Sequence, residues 1–314
     1  MQSGAAAKPC HIPVLTKEVI KGLQAEAGGS YVDCTVGLGG HAVAIMESIT
    51  PGGRLLGIDL DADALSICRN RLKKYGNSVT LVNDNYGNIE AICNKYHYKP
   101  VDGILFDLGV CSLQLDSVKR GFSFQSDAPL DMRFNSEEDI PTAADIINSY
   151  SERDLATIIK EYGEESHSRQ IASLIVQNRP IYTTAELSKL IYTALRYRHG
   201  KINPATKTFM AFRIAVNREL DNLRTALEQV TRLLHVGGRL VVISYHSLED
   251  RIVKQFIKRE STDCLCPPDV PVCHCGHAAS LKIISKKVIK PSLSEIKKNP
   301  RSRSGKMRVA EQLR

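Results

Sequence analysis

Gly37, Gly39 and Gly40 lie in the segment Asp33-Cys34-Thr35-Val36-Gly37-Leu38-Gly39-Gly40-His41, between a run that reads as a strand and one that reads as a helix. Residues without a β-carbon let the backbone approach a ligand, and a helix N-terminus offers unpaired N–H groups. With Ala42 the segment also satisfies G-x-G-x-x-A, a pattern too short to separate a dinucleotide site from another nucleotide site or from a merely tight turn. Asp59 follows Gly39 by 20 residues, at the end of the next strand-like run, where a carboxylate can accept from both hydroxyls of a ribose. Asp33, Asp84 and Asp107 also end or follow strand-like runs. In a parallel sheet such ends converge on the crevice where ligands bind, although any one of these residues could instead cap a helix or a turn. Their negative charge suits a cationic sulfonium cofactor better than the pyrophosphate of NAD.

Three further groups carry potential chemistry. Cys264-x-Cys266 and Cys273-x-Cys275-x-His277 place four thiols and an imidazole within 14 residues. Paired thiols suit tetrahedral zinc, but C-x-C is a less usual spacing than C-x-x-C, so zinc and a reduced loop both stay open and no metal is assigned. The other five cysteines (Cys10, Cys34, Cys68, Cys93 and Cys111) are scattered through regular runs and read as reduced packing residues. Arg196, Tyr197, Arg198, His199 and Lys201 form a basic stretch with one aromatic, suited to phosphates and a stacked base, or to a solvated loop. From Lys282 to Arg314 there are eleven Lys or Arg against Glu295 and Glu311, so the formal charge of +8 belongs to that end of the chain. Such a cluster is either a solubilising face or a phosphate-contacting surface.

The elements that must position these groups follow from hydropathy. Ser30 to Thr35, Arg54 to Asp59, Val79 to Asn83 and Asp102 to Leu108 read as strands, with helices through Ile49, over Ala62 to Lys74 and near Ile89 to Tyr96. That alternation signifies a parallel sheet flanked by helices. From about Leu115 to Asn203 the strand signal fades, and helical spacing follows two capping-box starts, Ser151 with Asp154 and Thr183 with Glu186. Alternation then returns, with a long helix expected from Ala205 to Leu234, a Gly237-Gly238 turn, a strand from Arg239 to Tyr245, a helix from Leu248 to Lys258, and late strands at Leu281 to Lys286 and Lys306 to Ala310. No apolar run reaches the roughly 18 residues of a membrane span and no signal-peptide pattern opens the chain, so a cytoplasmic protein without a membrane partner is expected.

Several stretches together resemble the ribosomal RNA small subunit methyltransferase H family. They begin with His11-Ile12-Pro13-Val14-Leu15, the Asp33 to His41 segment, and Asp107-Leu108-Gly109-Val110-Cys111-Ser112 through Gln114-Leu115-Asp116. They continue with Arg120-Gly121-Phe122-Ser123-Phe124, Pro129-Leu130-Asp131-Met132-Arg133, Tyr162-Gly163-Glu164-Glu165 and Ala205-Thr206-Lys207-Thr208-Phe209. The last are Ile243-Ser244-Tyr245-His246-Ser247-Leu248-Glu249-Asp250-Arg251-Ile252-Val253-Lys254 and Arg301-Ser302-Arg303-Ser304, so the resemblance runs along nearly the whole chain in order.

The resemblance implies an α/β fold, a Rossmann-like class I methyltransferase sheet interrupted by an α-helical insertion. The methyltransferase domain would be 1–114 with 204–314, and 115–203 the insertion serving substrate recognition. It implies S-adenosylmethionine as cofactor, contacted by Gly39, Gly40, His41, Asp59, Tyr86, Asp107 and Gln114, with Tyr86 beside the adenine where the family usually carries Phe. The implied reaction is methylation of the exocyclic N4 of a cytidine of 16S rRNA, in the P-site or decoding region of the small ribosomal subunit. Orientation of the amine, rather than a covalent intermediate, would carry that reaction. Asp107 is the first candidate to engage the amine and His246 the second, as base or base-edge contact, with a structural hydrogen bond at a strand end the plainer role for His246. Cys111 stands where the family usually shows Ser, which brings in a rival C5-cytosine mechanism with a thiolate nucleophile against the plainer reading of a Ser-sized packing residue. A nicotinamide-dependent oxidoreductase and a non-catalytic RNA-binding protein also compete with the methyltransferase reading. Monomer and homodimer both stay open.

Overall fold

The computed structural model describes residues 12–117, 119–195, 203–267 and 272–314. The chain divides into two compact units, one of residues 1–109 with 222–314 and one of residues 110–221.

The first unit is built on seven strands: β1 (Ser30–Asp33), β2 (Arg54–Asp59), β3 (Val79–Asn83), β4 (Val101–Asp107), β5 (Leu234–Ser244), β6 (Leu281–Ile283) and β7 (Lys306–Gln312). Their order is β3-β2-β1-β4-β5-β7-β6. The first five are parallel, and β7 pairs antiparallel with both β5 and β6. The central strand explains the layering: Ile104, Leu105 and Phe106 are all fully buried, so β4 needs cover on both faces. Strand alternation sends Ile104 and Phe106 into a core with α4 (Ile89–Lys95), α11 (Glu219–Leu233) and α12 (Ser247–Glu260). Leu105 enters the opposite core, with α1 (Thr16–Leu23), α2 (Gly40–Ile49) and α3 (Ala62–Leu72). This is the α/β, Rossmann-like class I methyltransferase sheet expected from the sequence. Among the described residues no helix is long and apolar enough to cross a membrane.

The second unit is helical: α5 (Ser112–Asp116), α6 (Ala143–Ser149), α7 (Glu152–Gly163), α8 (Ser168–Gln177), α9 (Thr184–Ala194) and α10 (Ala205–Asn217). Both expected caps form, but only Thr183 completes a reciprocal capping box. Ser151 accepts from the Asp154 N–H, and Thr183 accepts from the Glu186 N–H while the Glu186 carboxylate accepts from the Thr183 N–H. The apolar stripes of α6 to α10 meet in one core that includes Ile147, Leu155, Ile171, Leu187 and Phe212.

Three expectations change. The long helix over Ala205 to Leu234 is two helices, because Arg218 takes a left-handed backbone (φ 49°) at the end of α10. The Asn217 side chain anchors that break: Oδ1 accepts from the Phe134 N–H at 2.7 Å, and Nδ2 donates to the Met132 and Arg213 carbonyls. Since Phe209, Phe212 and Val216 pack into the helical core, the second unit extends to Asp221 rather than ending near residue 203. The Gly237-Gly238 turn is a bulge inside β5. Pairing jumps from Val101↔Leu234 to Gly103↔Arg239 as Gly237 takes φ 88°.

Asn217→Ala strands the part-buried Phe134 N–H and the buried Met132 carbonyl, and should lower stability by about 1–3 kcal/mol. A lowered urea midpoint at an unchanged denaturant slope is expected; an unchanged midpoint would deny Asn217 this anchoring role.

Candidate active site

Parallel pairing brings the C-terminal ends of β1, β2, β4 and β5 to one edge, with Asp33 opposite Gly57 and Leu105, and Asp107 opposite Ile243. The glycine segment leaves β1 there. The Gly37 N–H donates to Asp59 Oδ2 at 2.7 Å, and the Leu38 carbonyl accepts from the Arg71 guanidinium at 3.1 Å. Gly39 occupies the N-cap of α2 with φ 80°, and no side chain caps that helix. A β-carbon on Gly39 would stand 2.8 Å from Cys68 Sγ, so both the backbone angle and the space demand glycine.

Asp59 also accepts from the Asp61 N–H at 2.9 Å. Asp84 is a turn residue: its Oδ1 accepts from the Asn85 N–H at 2.6 Å and from Asn88 Nδ2 at 2.9 Å. Tyr86 opens the short 3-10 turn after β3 and is half-buried, its ring edge-on to Phe106 with centroids 5.7 Å apart. That packing gives the ring a fixed plane, unlike an exposed loop tyrosine.

Asp107 is the most constrained of the group. Its Oδ1 accepts from Tyr245 Oη at 2.8 Å, its Oδ2 lies 3.2 Å from His41 Nε2, and its backbone N–H donates to Thr35 Oγ1 at 2.7 Å. Burial pushes the Tyr245 phenol well above its ordinary range, and the adjacent Asp107 charge pushes the same way, so Tyr245 stays a donor. For His41, burial opposes the charged form, but the Asp107 hydrogen bond and the charges of Asp107, Asp33 and Glu295 prevail and raise its pKa. Asp33 is fully buried, and desolvation lifts its carboxyl from 3.8 to about 7, against the pull of His41 and a hydrogen bond from the Thr35 N–H.

The start of the described chain meets the segment around Glu295 to Asn299 beside this loop. Pro13 lies against Gly40, the Leu15 N–H donates to Glu295 Oε1 at 2.7 Å, and Asn299 Nδ2 donates to the Ile12 carbonyl at 2.9 Å. Glu295 belongs to α13 (Leu293–Lys298). Two stretches at opposite ends of the sequence, around Ile12–Leu15 and before Arg301, therefore support one loop.

His246 sits at the N-cap of α12, with Nε2 3.1 Å from Oε1 of the buried Glu249. Glu249 also accepts from the Tyr245 and His246 N–H groups, so these contacts fix the turn after β5. Gln114 and Cys111 belong to the helical unit. Cys111 is the N-cap of α5, and its N–H donates to Oε1 of the buried Gln114 at 3.0 Å. The basic stretch from Arg196 to Lys201 lies outside the described residues, as do Cys10 and His11. The basic end is a folded part of the sheet rather than a loose tail: Arg308 pairs with Asp250 at 2.8 Å, while Lys286, Lys287, Lys290, Lys297, Lys298, Arg301 and Arg303 are exposed. Sequence reasoning gave no role to Thr35, Arg71 or Tyr245. The findable signal for Tyr245 was its place just past a strand adjacent to the one that ends in Asp107.

The sheet order and the glycine turn are those of a class I methyltransferase. The chain belongs to the MraW methylase family, whose model matches residues 8–313. Curated relatives named "Ribosomal RNA small subunit methyltransferase H" are similar over most of their length. That of Dehalococcoides mccartyi is 57% identical over 303 residues, covering 96% of this chain and 86% of the relative. That of Caldicellulosiruptor saccharolyticus is 47% identical over 306 residues, with 96% and 99% covered, and that of Syntrophus aciditrophicus is 47% identical over 308 residues, with 96% and 98% covered.

Gly39→Ala combines a left-handed backbone with the Cys68 contact and should cost about 1–3 kcal/mol. Thermal unfolding should show a lower midpoint; an unshifted one would mean that the loop relaxes without strain.

Proposed function

We propose that this protein transfers a methyl group from S-adenosylmethionine to the exocyclic N4 of a specific cytidine of 16S rRNA, in the P-site or decoding region of the small ribosomal subunit. Family membership and the printed names of the relatives support the rRNA methyltransferase part and weigh against a nicotinamide-dependent oxidoreductase. The observation that carries the N4 reading is Asp107: an acceptor fixed at the end of β4 by Tyr245, His41 and Thr35. A cytidine amine has its lone pair delocalised into the ring, so an acceptor that takes one N–H hydrogen bond helps hold the nitrogen in line for transfer.

The residues fit the cofactor. Gly39 and Gly40 bring the uncapped start of α2 to the site, Asp59 stands at the end of β2 where a carboxylate can accept from ribose hydroxyls, and Tyr86 offers a braced aromatic face for the adenine. His41 keeps a buried Nδ1 with no hydrogen-bond partner among the described residues, an available polar contact. Gln114 is the remaining cofactor contact that the family resemblance implies. S-adenosylmethionine, when bound, supplies an electrophilic methyl on a positively charged sulfur, which the acidic edge of the sheet favours. His246 is the second catalytic candidate, and its contact with Glu249 favours a positioning role through the turn that carries Tyr245.

The helical unit is proposed to recognise substrate, and the exposed Lys and Arg of the C-terminal part of the chain supply phosphate contacts without base specificity. A base-paired target would leave its stack to reach Asp107. The proposed location is the cytoplasm, where ribosomes are.

Mass spectrometry of 16S rRNA after incubation of small subunits with protein and S-adenosylmethionine should show an N4-methylated cytidine. Asp107→Asn should reduce the rate by about 100-fold or more, a loss of the size seen on removing one preorganised catalytic contact. Cys111→Ser should keep most activity; a C5-methyl product lost in that variant would instead establish the thiolate mechanism. Tight RNA binding with no methyl product would leave a binding protein.

Asp33 sets a pH signature. The neutral acid predominates below about 7 and the carboxylate above it. A cationic ligand favours the carboxylate, so S-adenosylmethionine should bind up to about tenfold tighter at pH 8 than at pH 6. S-adenosylhomocysteine, with a neutral sulfur, should show a shallower dependence. Parallel calorimetric titrations of the two would measure it, and equal slopes would remove Asp33 from the sulfonium's surroundings.

A further inference from the structure

We infer that Cys264, Cys266, Cys273 and Cys275 form a structural zinc site that clamps the excursion between α12 and β6. Their four sulfurs all lie within 4.8 Å of one another. Cys264 Sγ is 3.4 Å from Cys273 Sγ and 3.9 Å from Cys275 Sγ, and Cys273 and Cys275 are 3.5 Å apart. Thiolates at about 2.3 Å from a tetrahedral ion stand about 3.8 Å from one another, so these spacings match a shared central ion. Disulfides pair sulfurs two by two at about 2.05 Å, whereas here one sulfur triangle has three similar edges.

The backbone is arranged for anionic sulfur. The Leu265 N–H donates to Cys275 Sγ at 3.3 Å, the Cys266 N–H to Cys264 Sγ at 3.4 Å, and the His274 N–H to Cys266 Sγ at 3.4 Å. Such donors disperse thiolate charge and orient the ligands, as outer contacts of metal sites do. His277, grouped with these thiols by its sequence position, is not a ligand: its Nε2 lies 3.0 Å from the Arg259 carbonyl at the end of α12.

An ion also answers what holds this segment. Leu265 and Val272 are 45% and 62% exposed, so the described part of the loop has little apolar core of its own. Long excursions without a core commonly depend on a metal or a disulfide. Four protein ligands leave no open position, which marks the site as structural rather than catalytic. A sulfur-only tetrahedral set selects zinc or iron, and an exposed iron–thiolate centre would be open to oxidation, which favours zinc. The 14 residues of α12, about 21 Å of helix, separate His246 at its start from the loop that follows its end.

The full-length protein, purified without nickel resin or chelator and dialysed, should carry about one zinc per chain by mass spectrometric metal analysis. Titration of that folded protein with an organomercurial should release the zinc, read by a chromophoric chelator, as the four thiols react. The Cys264→Ser/Cys266→Ser variant should lose at least tenfold of its zinc. Iron in place of zinc, two disulfides by intact mass, or four freely reactive thiols with no metal released would each overturn the inference. The mercurial titration needs no variant, so poor folding of the double mutant leaves a decisive result. Neither measurement depends on the proposed rRNA reaction.

Discussion

Asp107, its carboxylate held at the end of β4 by a phenol from beyond β5 and an imidazole from the start of α2 and its backbone N–H by a threonine beyond β1, is the constraint that ties the sheet to its chemistry. Each partner arrives from a different element, so the carboxylate is positioned only when β1, β4 and β5 are in register. A buried acidic cluster is unfavourable by itself, since desolvation opposes every charge placed there. The cluster manages this unevenly: Asp59 is satisfied by backbone N–H groups, Asp107 by Tyr245 and His41, and Asp33 remains partly protonated near neutrality. A cation entering the site relieves the repulsion that the fold leaves in place.

Much of this was legible in the sequence. The bounds of β2 and β3 follow from apolar runs closed by turn residues, and Ser151 and Thr183 both cap helices where the sequence announced them, Thr183 alone with the reciprocal box. The glycine turn and Asp59 could be read because each is a local pattern with a fixed offset. What escaped depends on register and on tertiary contact. Thr35 and Tyr245 acquire meaning only once their strands lie beside β4. The break at Asn217 is invisible to periodicity, because the apolar stripe continues through it and the contacts that stop the helix come from Met132 and Phe134, some 85 residues earlier. His246 is the reverse case: its type and place suggest a base, while its neighbour Glu249, read as part of a helix start, turns out to hold it.

The folded basic end refines an expectation drawn from charge alone. Composition could not separate a solvated tail from a binding surface, but β7 is an interior strand of the sheet and Arg308 is tied to Asp250, so the remaining exposed cations are displayed on a fixed scaffold. Cations with fixed positions act as a patterned electrostatic surface, and their effect should fall steeply with salt.

The interruption between β4 and β5 has a kinetic side. These strands are hydrogen-bonded neighbours, yet Asp107 pairs opposite Ile243 with the whole helical unit between them in the chain. Loop closure over so many flexible residues is slow, and a helical unit dominated by local contacts forms faster than a long-range parallel pairing. The favoured order of assembly is therefore helices 110–221 first and the β4–β5 seam afterwards, which makes the position of the Asp107 carboxylate among the last features of the native state to be established.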